Sequence, residues 1–261
     1  MRFDSTEIRA ETVDRVRLIT IHGPGRANIL DRGATEDLRQ EVADAADDPD
    51  IIAIVLQGAN NGAFCGGGDL REIARDDDQG RRFDVPMRGA YRNLFEVILE
   101  AYKPTIAVVN GPAVGAGAEL MLACDLRIAS HQASVSVPEA ERGTGANFAS
   151  VLLPRVLPRA IAMEMLLAGR MLTSEEALAY GLYNRVVDSE SLGACLQDLL
   201  DKLRTRAPLT LKRCTEVASK SWGLPIAVGL RLGTPDVYLS EDRKEGVLSF
   251  VEQRDPEWRG Q

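Results

Sequence analysis

Along the chain, apolar and polar positions switch between two periods. "EIRAETVDRVRLITIH" alternates and is rich in β-branched residues, which predicts a β-hairpin turning near Asp14. "TEDLRQEVADAADDPD" has helical spacing, with Thr35 as N-cap and Pro49 beyond the end. "IIAIVLQG" and "TIAVVNG" are short, wholly apolar runs, the pattern of strands covered on both faces. Each leads into a small-residue turn and a helix start: "AFCGGGD" before "LREIARDDD", and "GPAVGAGAEL". Residues 81–102 read as helix, broken at Pro104. "CDLRIAS" and "ASVSV" read as further strands. From about residue 146 strand signals thin out to a short "NRVVD". "PRAIAMEMLLAG", "TSEEALAYG", residues 189–206 and the stretch from 208 to the end read as helices. The expectation is an α/β chain in which a βα-repeating core precedes a helical C-terminal region.

Composition narrows the partners. The 261 residues carry 31 Lys and Arg against 39 Asp and Glu, a net charge of −8. Such a surface disfavours loose binding to nucleic acid or anionic membranes, yet allows a polyanionic small ligand met by local basic residues. No apolar run reaches the ~18 residues of a membrane span. "MRFDSTEIRA" lacks a basic segment followed by an apolar one, so the cytoplasm is the expected location. Cys65, Cys124, Cys195 and Cys214 show no CxxC spacing and are expected to be free thiols. His22 and His131 cannot form a zinc cluster alone, and neither a metal-ligand spacing nor a GxSxG elbow is present. The run "RDDDQGRR" reads as a mobile loop or a helix edge, and most plainly as solvated surface.

The two Gly-rich turns carry the candidate chemistry. A helix start leaves backbone N–H groups without partners, and small residues let a ligand approach them closely. Two such turns side by side would aim two N–H donors at one oxygen, an oxyanion hole. "NGPAVGAG" also has the glycine spacing of short-chain dehydrogenases, where it cradles a dinucleotide pyrophosphate. In those enzymes the turn follows the first strand, whereas here more than a hundred residues come before it, and no tyrosine here has a lysine four positions on. Tight turns without any ligand are the plainer alternative.

Glu119 is the only charged residue between Asn110 and Asp125, and Leu120, Met121, Leu122 and Ala123 follow it. A first-turn carboxylate answers the helix dipole. An all-apolar helix is buried, though, and a buried carboxylate must be paired, neutralised or used. Glu139 in "SVSVPEAERG" is a second candidate, placed after a strand and a proline; by itself a glutamate there is ordinarily exposed. Glu141 and Glu164 read as surface residues.

"AFCGGGDL", then "NGPAVGAGAELMLACDLRIAS", then "PE" together resemble the enoyl-CoA hydratase/isomerase (crotonase) family, over nearly the whole chain from "RANIL" to "EDRKEGVLSFVEQRDPEW". The resemblance implies a ClpP/crotonase-like spiral of ββα units over 1–200 that holds the acyl-CoA site, followed by a helical trimerisation region over 201–261 that also covers the coenzyme A groove. It implies an acyl-CoA thioester as substrate, no other cofactor, and self-association as a trimer or dimer of trimers. Position by position it implies oxyanion amides at Gly68 and Ala116, where the family usually has glycine in place of Ala116. It implies an acid/base pair at Glu119 and Glu139, and water addition or removal at the α,β double bond, since isomerases typically keep only the second glutamate. Arg26, Ala27, Asp69, Leu70 and Arg71 match the coenzyme A groove, and Phe250 matches a position that closes it, often from a neighbouring subunit. "GTGANFASVLLPRVLP" departs from the usual stretch, and Asn147 and Phe148 are expected to reshape the acyl end of the pocket. The scaffold segments are most similar to the carnitinyl-CoA dehydratase branch. A family isomerase or thioesterase, and a non-catalytic RNA- or partner-binding homologue, are the alternatives.

Overall fold

The computed structural model describes residues 5–59, 62–81, 91–233 and 237–261. β1 (Glu7–Val13) and β2 (Val16–His22) pair antiparallel, with Val13 opposite Val16. Asp14 and Arg15, at φ of 47° and 67°, supply the two left-handed positions a two-residue hairpin turn needs. α1 (Arg32–Asp47) begins earlier than the sequence pattern suggested. Its N-cap is Asp31, whose carboxylate accepts from Ala34 N at 2.8 Å, while the Thr35 hydroxyl donates to the Asp31 carbonyl inside the first turn. Gly33, the second residue of α1, costs some backbone entropy but keeps its N–H and does not interrupt the helix.

β3 (Ala53–Gly58) and β4 (Thr105–Val109) follow the two apolar runs, with α2 (Leu70–Asp78) and α3 (Leu94–Leu99) between them. The expected helix over 81–102 is corrected in part: residues 82–90 lie outside the described residues, and among the described ones only Leu94–Leu99 is helical. Asn93 and Glu96 form the capping box that starts it. Tyr102, at φ 50°, has a backbone that no α-helix contains. "RDDDQGRR" is not uniformly solvated either: Arg75–Asp78 belong to α2, and Asp76 is buried beneath ion pairs to Arg32 and Arg81.

β5 (Ala113–Val114), α4 (Ala116–Ala123), β6 (Leu126–Ser130), β7 (Ser134–Ser136), α5 (Glu139–Arg142) and α6 (Asn147–Val156) come next. Then follow α7 (Arg159–Ala168), β8 (Leu172–Thr173), α8 (Ser174–Ala179), β9 (Arg185–Val187) and α9 (Leu192–Arg204). β8 has two residues, too few to leave a period in the sequence. α10 (Pro208–Ser221), α11 (Ile226–Gly229) and α12 (Glu241–Glu252) close the chain. The C-terminal stretch is therefore broken into pieces: Gly223, at φ 87°, follows α10, and a left-handed Gln253 ends α12 before a non-helical tail.

A six-stranded sheet has the order β1-β2-β3-β4-β6-β9, parallel from β2 onward, and a three-stranded sheet has the order β5-β7-β8. Alternation along the central strands explains their continuous apolar sequence. Ile54, Leu56, Ala107 and Val109 face the main core under α1, α3 and α4, whereas Ala53, Val55, Ile106 and Val108 face a second layer closed by Leu192 and Leu200 of α9. The chain is thus α/β with a mixed sheet and a helical C-terminal region. Both Gly-rich turns leave the sheet at the same end, after the parallel neighbours β3 and β4.

Candidate active site

Backbone hydrogen bonds clip the two turns together. Cys65 N donates to Pro112 O at 3.3 Å and Val114 N donates to Cys65 O at 3.0 Å, a short parallel bridge between Cys65 and Ala113. Gly117 is required here, since a Cβ on it would lie 2.0 Å from the Cys65 carbonyl oxygen. Farther along the first turn, Leu30 N donates to Gly67 O at 2.8 Å and Asp69 N donates to Leu30 O at 2.9 Å. Gly68, framed by those two bonds, directs its own N–H away from Leu30. Gly67 has φ 97°, and a Cβ there would sit 3.7 Å from Ala116 N, so the Gly68 and Ala116 amides stand in adjoining turns. No carbonyl among the described residues accepts from either amide.

Glu119 lies in the first turn of α4, where Glu119 N donates to Gly115 O. Its residue exposure is 6%, and its Oε1 accepts from Phe148 N at 3.0 Å and Ala149 N at 2.9 Å. Burial pushes its carboxyl up to about 7, with a contribution from the Glu139 charge and against the pull of the two amides. Glu139 is the first residue of α5 and is half-buried. Burial raises its carboxyl as well, and its Oε2 is enclosed with no hydrogen-bond partner among the described residues. A Cβ on Gly115 would be 2.8 Å from Glu139 Oε1, so the bare Cα of Gly115 gives this carboxyl room beside Ala116. Two carboxyls whose environments disfavour ionisation therefore stand near two amides that no carbonyl among the described residues claims, an arrangement suited to moving protons next to a polarised carbonyl.

The remaining candidates divide. The Arg26 carbonyl accepts from Ala63 N and the Ala27 carbonyl from Gly66 N, both at 2.7 Å, which zips that loop to the first Gly-rich turn. The Arg26 side chain is exposed and Ala27 is half-buried. Asp69 caps α2 by accepting from Arg71 N at 2.9 Å, and the Leu70 and Arg71 side chains are exposed beside it. Phe250 is not gathered in: on α12, with 84% of its surface exposed, it forms an apolar stripe with Val247, Leu248 and Val251. Glu141 is exposed and Glu164 pairs with Arg170. Among the described residues no group of three His, Cys, Asp or Glu is placed to hold a metal ion, and no helix is long and apolar enough to cross a membrane.

Asn28 is the residue that sequence reasoning missed. It is wholly buried at φ 49°; its Oδ1 accepts from Gly23 N at 3.0 Å, and its Nδ2 donates to Ala59 O at 3.2 Å and Ala63 O at 2.7 Å. The available signal was an asparagine in a loop, the residue type that tolerates a left-handed backbone and answers nearby main-chain groups.

The chain is similar to known proteins over nearly its whole length. The enoyl-CoA hydratase/isomerase family matches residues 11–261. The (E)-benzylidenesuccinyl-CoA hydratase of Thauera aromatica is 35% identical over 260 residues, covering 97% of this chain and 99% of that protein. A carnitinyl-CoA dehydratase of Proteus mirabilis is 36% identical over 243 residues, covering 90% and 92%. The crystal structure of an enoyl-CoA hydratase from Mycobacterium tuberculosis superposes with a TM-score of 0.86 at 32% identity, over 98% of this chain and 99% of that one. From its first sheet to its C-terminal helices, this chain belongs to the enoyl-CoA hydratase/isomerase family.

Proposed function

We propose that the protein is a lyase that adds water to, or removes it from, the α,β double bond of an acyl-CoA thioester. The observation that carries this reading is the pair of burial-raised carboxyls, Glu119 and Glu139, set around the free amides of Gly68 and Ala116. The two amides would hold the thioester oxygen as enolate charge develops on it. The ionised carboxyl of the pair takes a proton from water while the water oxygen bonds to the β-carbon. The protonated carboxyl gives its proton to the α-carbon, and the π pair of the double bond becomes the new C–H bond. One water is added, and dehydration is the same path reversed. Two neighbouring, partly desolvated carboxyls would share one proton between them, which keeps one acid and one base available. No electrons leave the substrate, so the chemistry calls for no cofactor beyond the substrate's own coenzyme A.

Two observations extend the reading. Arg26 and Ala27, in the loop bonded to the first Gly-rich turn, and Asp69, Leu70 and Arg71, directly after that turn, would form the coenzyme A groove, with the exposed Arg26 and Arg71 cations meeting its phosphates. The bare stripe around Phe250 suits contact with another copy of the chain, as in a trimer or dimer of trimers with residues 201–261 as the assembly region. Four unpaired cysteines are in keeping with a reducing cytoplasm.

The test is a thermal-shift screen against acyl-CoA thioesters, followed by mass spectrometry of the products of any that bind. Hydration appears as one water gained; a moved double bond or a free acid would instead assign an isomerase or thioesterase. Salt-sensitive RNA binding with no turnover would remove the enzymatic reading altogether.

A further inference from the structure

α6 starts without a cap of its own. Its N-cap is Ala146, which offers no side-chain acceptor to the first-turn amides. Glu119 supplies that acceptor from a different helix, its Oε1 taking both the Phe148 and Ala149 N–H groups. The carboxyl is therefore held wherever the first turn of α6 is held. The chain entering that turn, residues 143–146, is exposed or half-buried. Among the described residues its backbone ties to the rest of the site both end on Glu139 O, from Gly143 N and from Thr144 N, the latter at 3.1 Å. A firmer anchor comes from the side. The buried Phe148 ring stacks on Phe95, with ring centroids 5.4 Å apart and planes 27° from parallel. Phe95 stands on α3, a helix fixed by its own capping box and packed against both α1 and α4.

We propose that Phe95 is a positioning residue for Glu119: stacked on Phe148, it fixes the two α6 amides that hold one carboxylate oxygen and leave the other for the reacting water. The last clause rests on the hydration reading; the positioning itself does not. The surroundings isolate the effect. Glu139 on α5 is the charged group whose field reaches Glu119, while Glu141 and Arg142 on α5 face each other. Glu96 on α3 and Glu100 at its C-cap are paired with Arg92. The charged side chain of α6 is Arg155 in its last turn, and β5 has none.

Three variants test this. Phe95→Ala removes the ring, Phe95→Leu keeps apolar bulk without a stacking face, and Phe95→Tyr keeps the face. Glu119 protonation is read in the substrate-free protein from its carboxyl infrared band, assigned by loss of the band in Glu119→Gln. With the amides loosened, the ionised form loses donors, and the midpoint is expected to rise by about 0.5–1 pH unit in the Ala and Leu variants. The Tyr variant should keep the wild-type midpoint. The acid limb of kcat on a short enoyl-CoA should move with the band, with KM changing less than kcat. A midpoint unmoved in both the Ala and Leu variants overturns the proposal, as does an effect confined to KM, which would make Phe95 only a wall of the acyl site. Should Phe95→Ala not fold, Phe95→Leu against Phe95→Tyr makes the same comparison. The infrared readout needs no turnover, so inactivity on enoyl-CoA would count against the hydration reading alone.

Discussion

Replacing Glu119 with glutamine should make the protein more stable at alkaline pH. The carboxyl is nearly sealed from solvent, and its folded pKa of about 7 stands above an ordinary 4.5. At about 1.4 kcal/mol per pH unit, keeping this group ionised well above pH 7 costs the fold roughly 3 kcal/mol. The sign follows from linkage. A raised carboxyl pKa means the folded chain binds the proton more tightly than the unfolded one. The associated stability is complete below the unfolded pKa and is lost as pH climbs through about 7. Glutamine has no proton to lose, and its carboxamide oxygen can still accept from the Phe148 and Ala149 amides. Urea unfolding at two pH values is the assay. The Glu119→Gln gain should be roughly 3 kcal/mol at pH 8 and shrink below about 1 kcal/mol at pH 5. An equal gain at both pH values would trace to packing rather than charge, and a loss at pH 8 would refute the buried-anion argument outright.

Gly115→Ala would force a side chain onto a φ of 56° and drive its Cβ toward Glu139 Oε1. It should lower kcat by roughly a hundredfold through displacement of Glu139, at a strain of about 1–3 kcal/mol in a melt; a wild-type kcat would show that Glu139 is not held there. Asn28→Ala strands one buried donor and two acceptors. It should cost about 2–4 kcal/mol in urea unfolding and raise KM for an acyl-CoA by loosening the Arg26–Ala27 loop, whereas unchanged stability would mean solvent replaces those bonds.

Much of this architecture is legible in the sequence because it is local. Asp14 and Arg15 follow directly from alternation on either side of a short polar break. The two turns are readable because glycine and alanine are the residues that let Cys65 O pass against Gly117 and Glu139 reach past Gly115. Glu119 stood out as a charge in an apolar helix, and it is buried. What failed to show was set by partners distant in the chain. Asp76 looked solvated because one of its arginines, Arg32, lies 44 residues away. Thr35 looked like a cap because nothing local says that Asp31 points at Ala34 N. The capping box at Asn93 and Glu96 was available to the eye, but amphipathic spacing on either side masked it. The hold on Glu119 was invisible for the same reason, since Phe148 and Phe95 become neighbours only through the packing of three helices.

The central claim is that two carboxyls beside two free amides move one water across a double bond. The most direct measurement is turnover of a short enoyl-CoA in water labelled with oxygen-18, followed by mass spectrometry, for the wild type, Glu119→Gln and Glu139→Gln. The wild type should place a single labelled oxygen on the β-carbon, and each variant should lose that product by roughly a thousandfold or more. A product without the label, or both variants turning over at near wild-type rates, would contradict it.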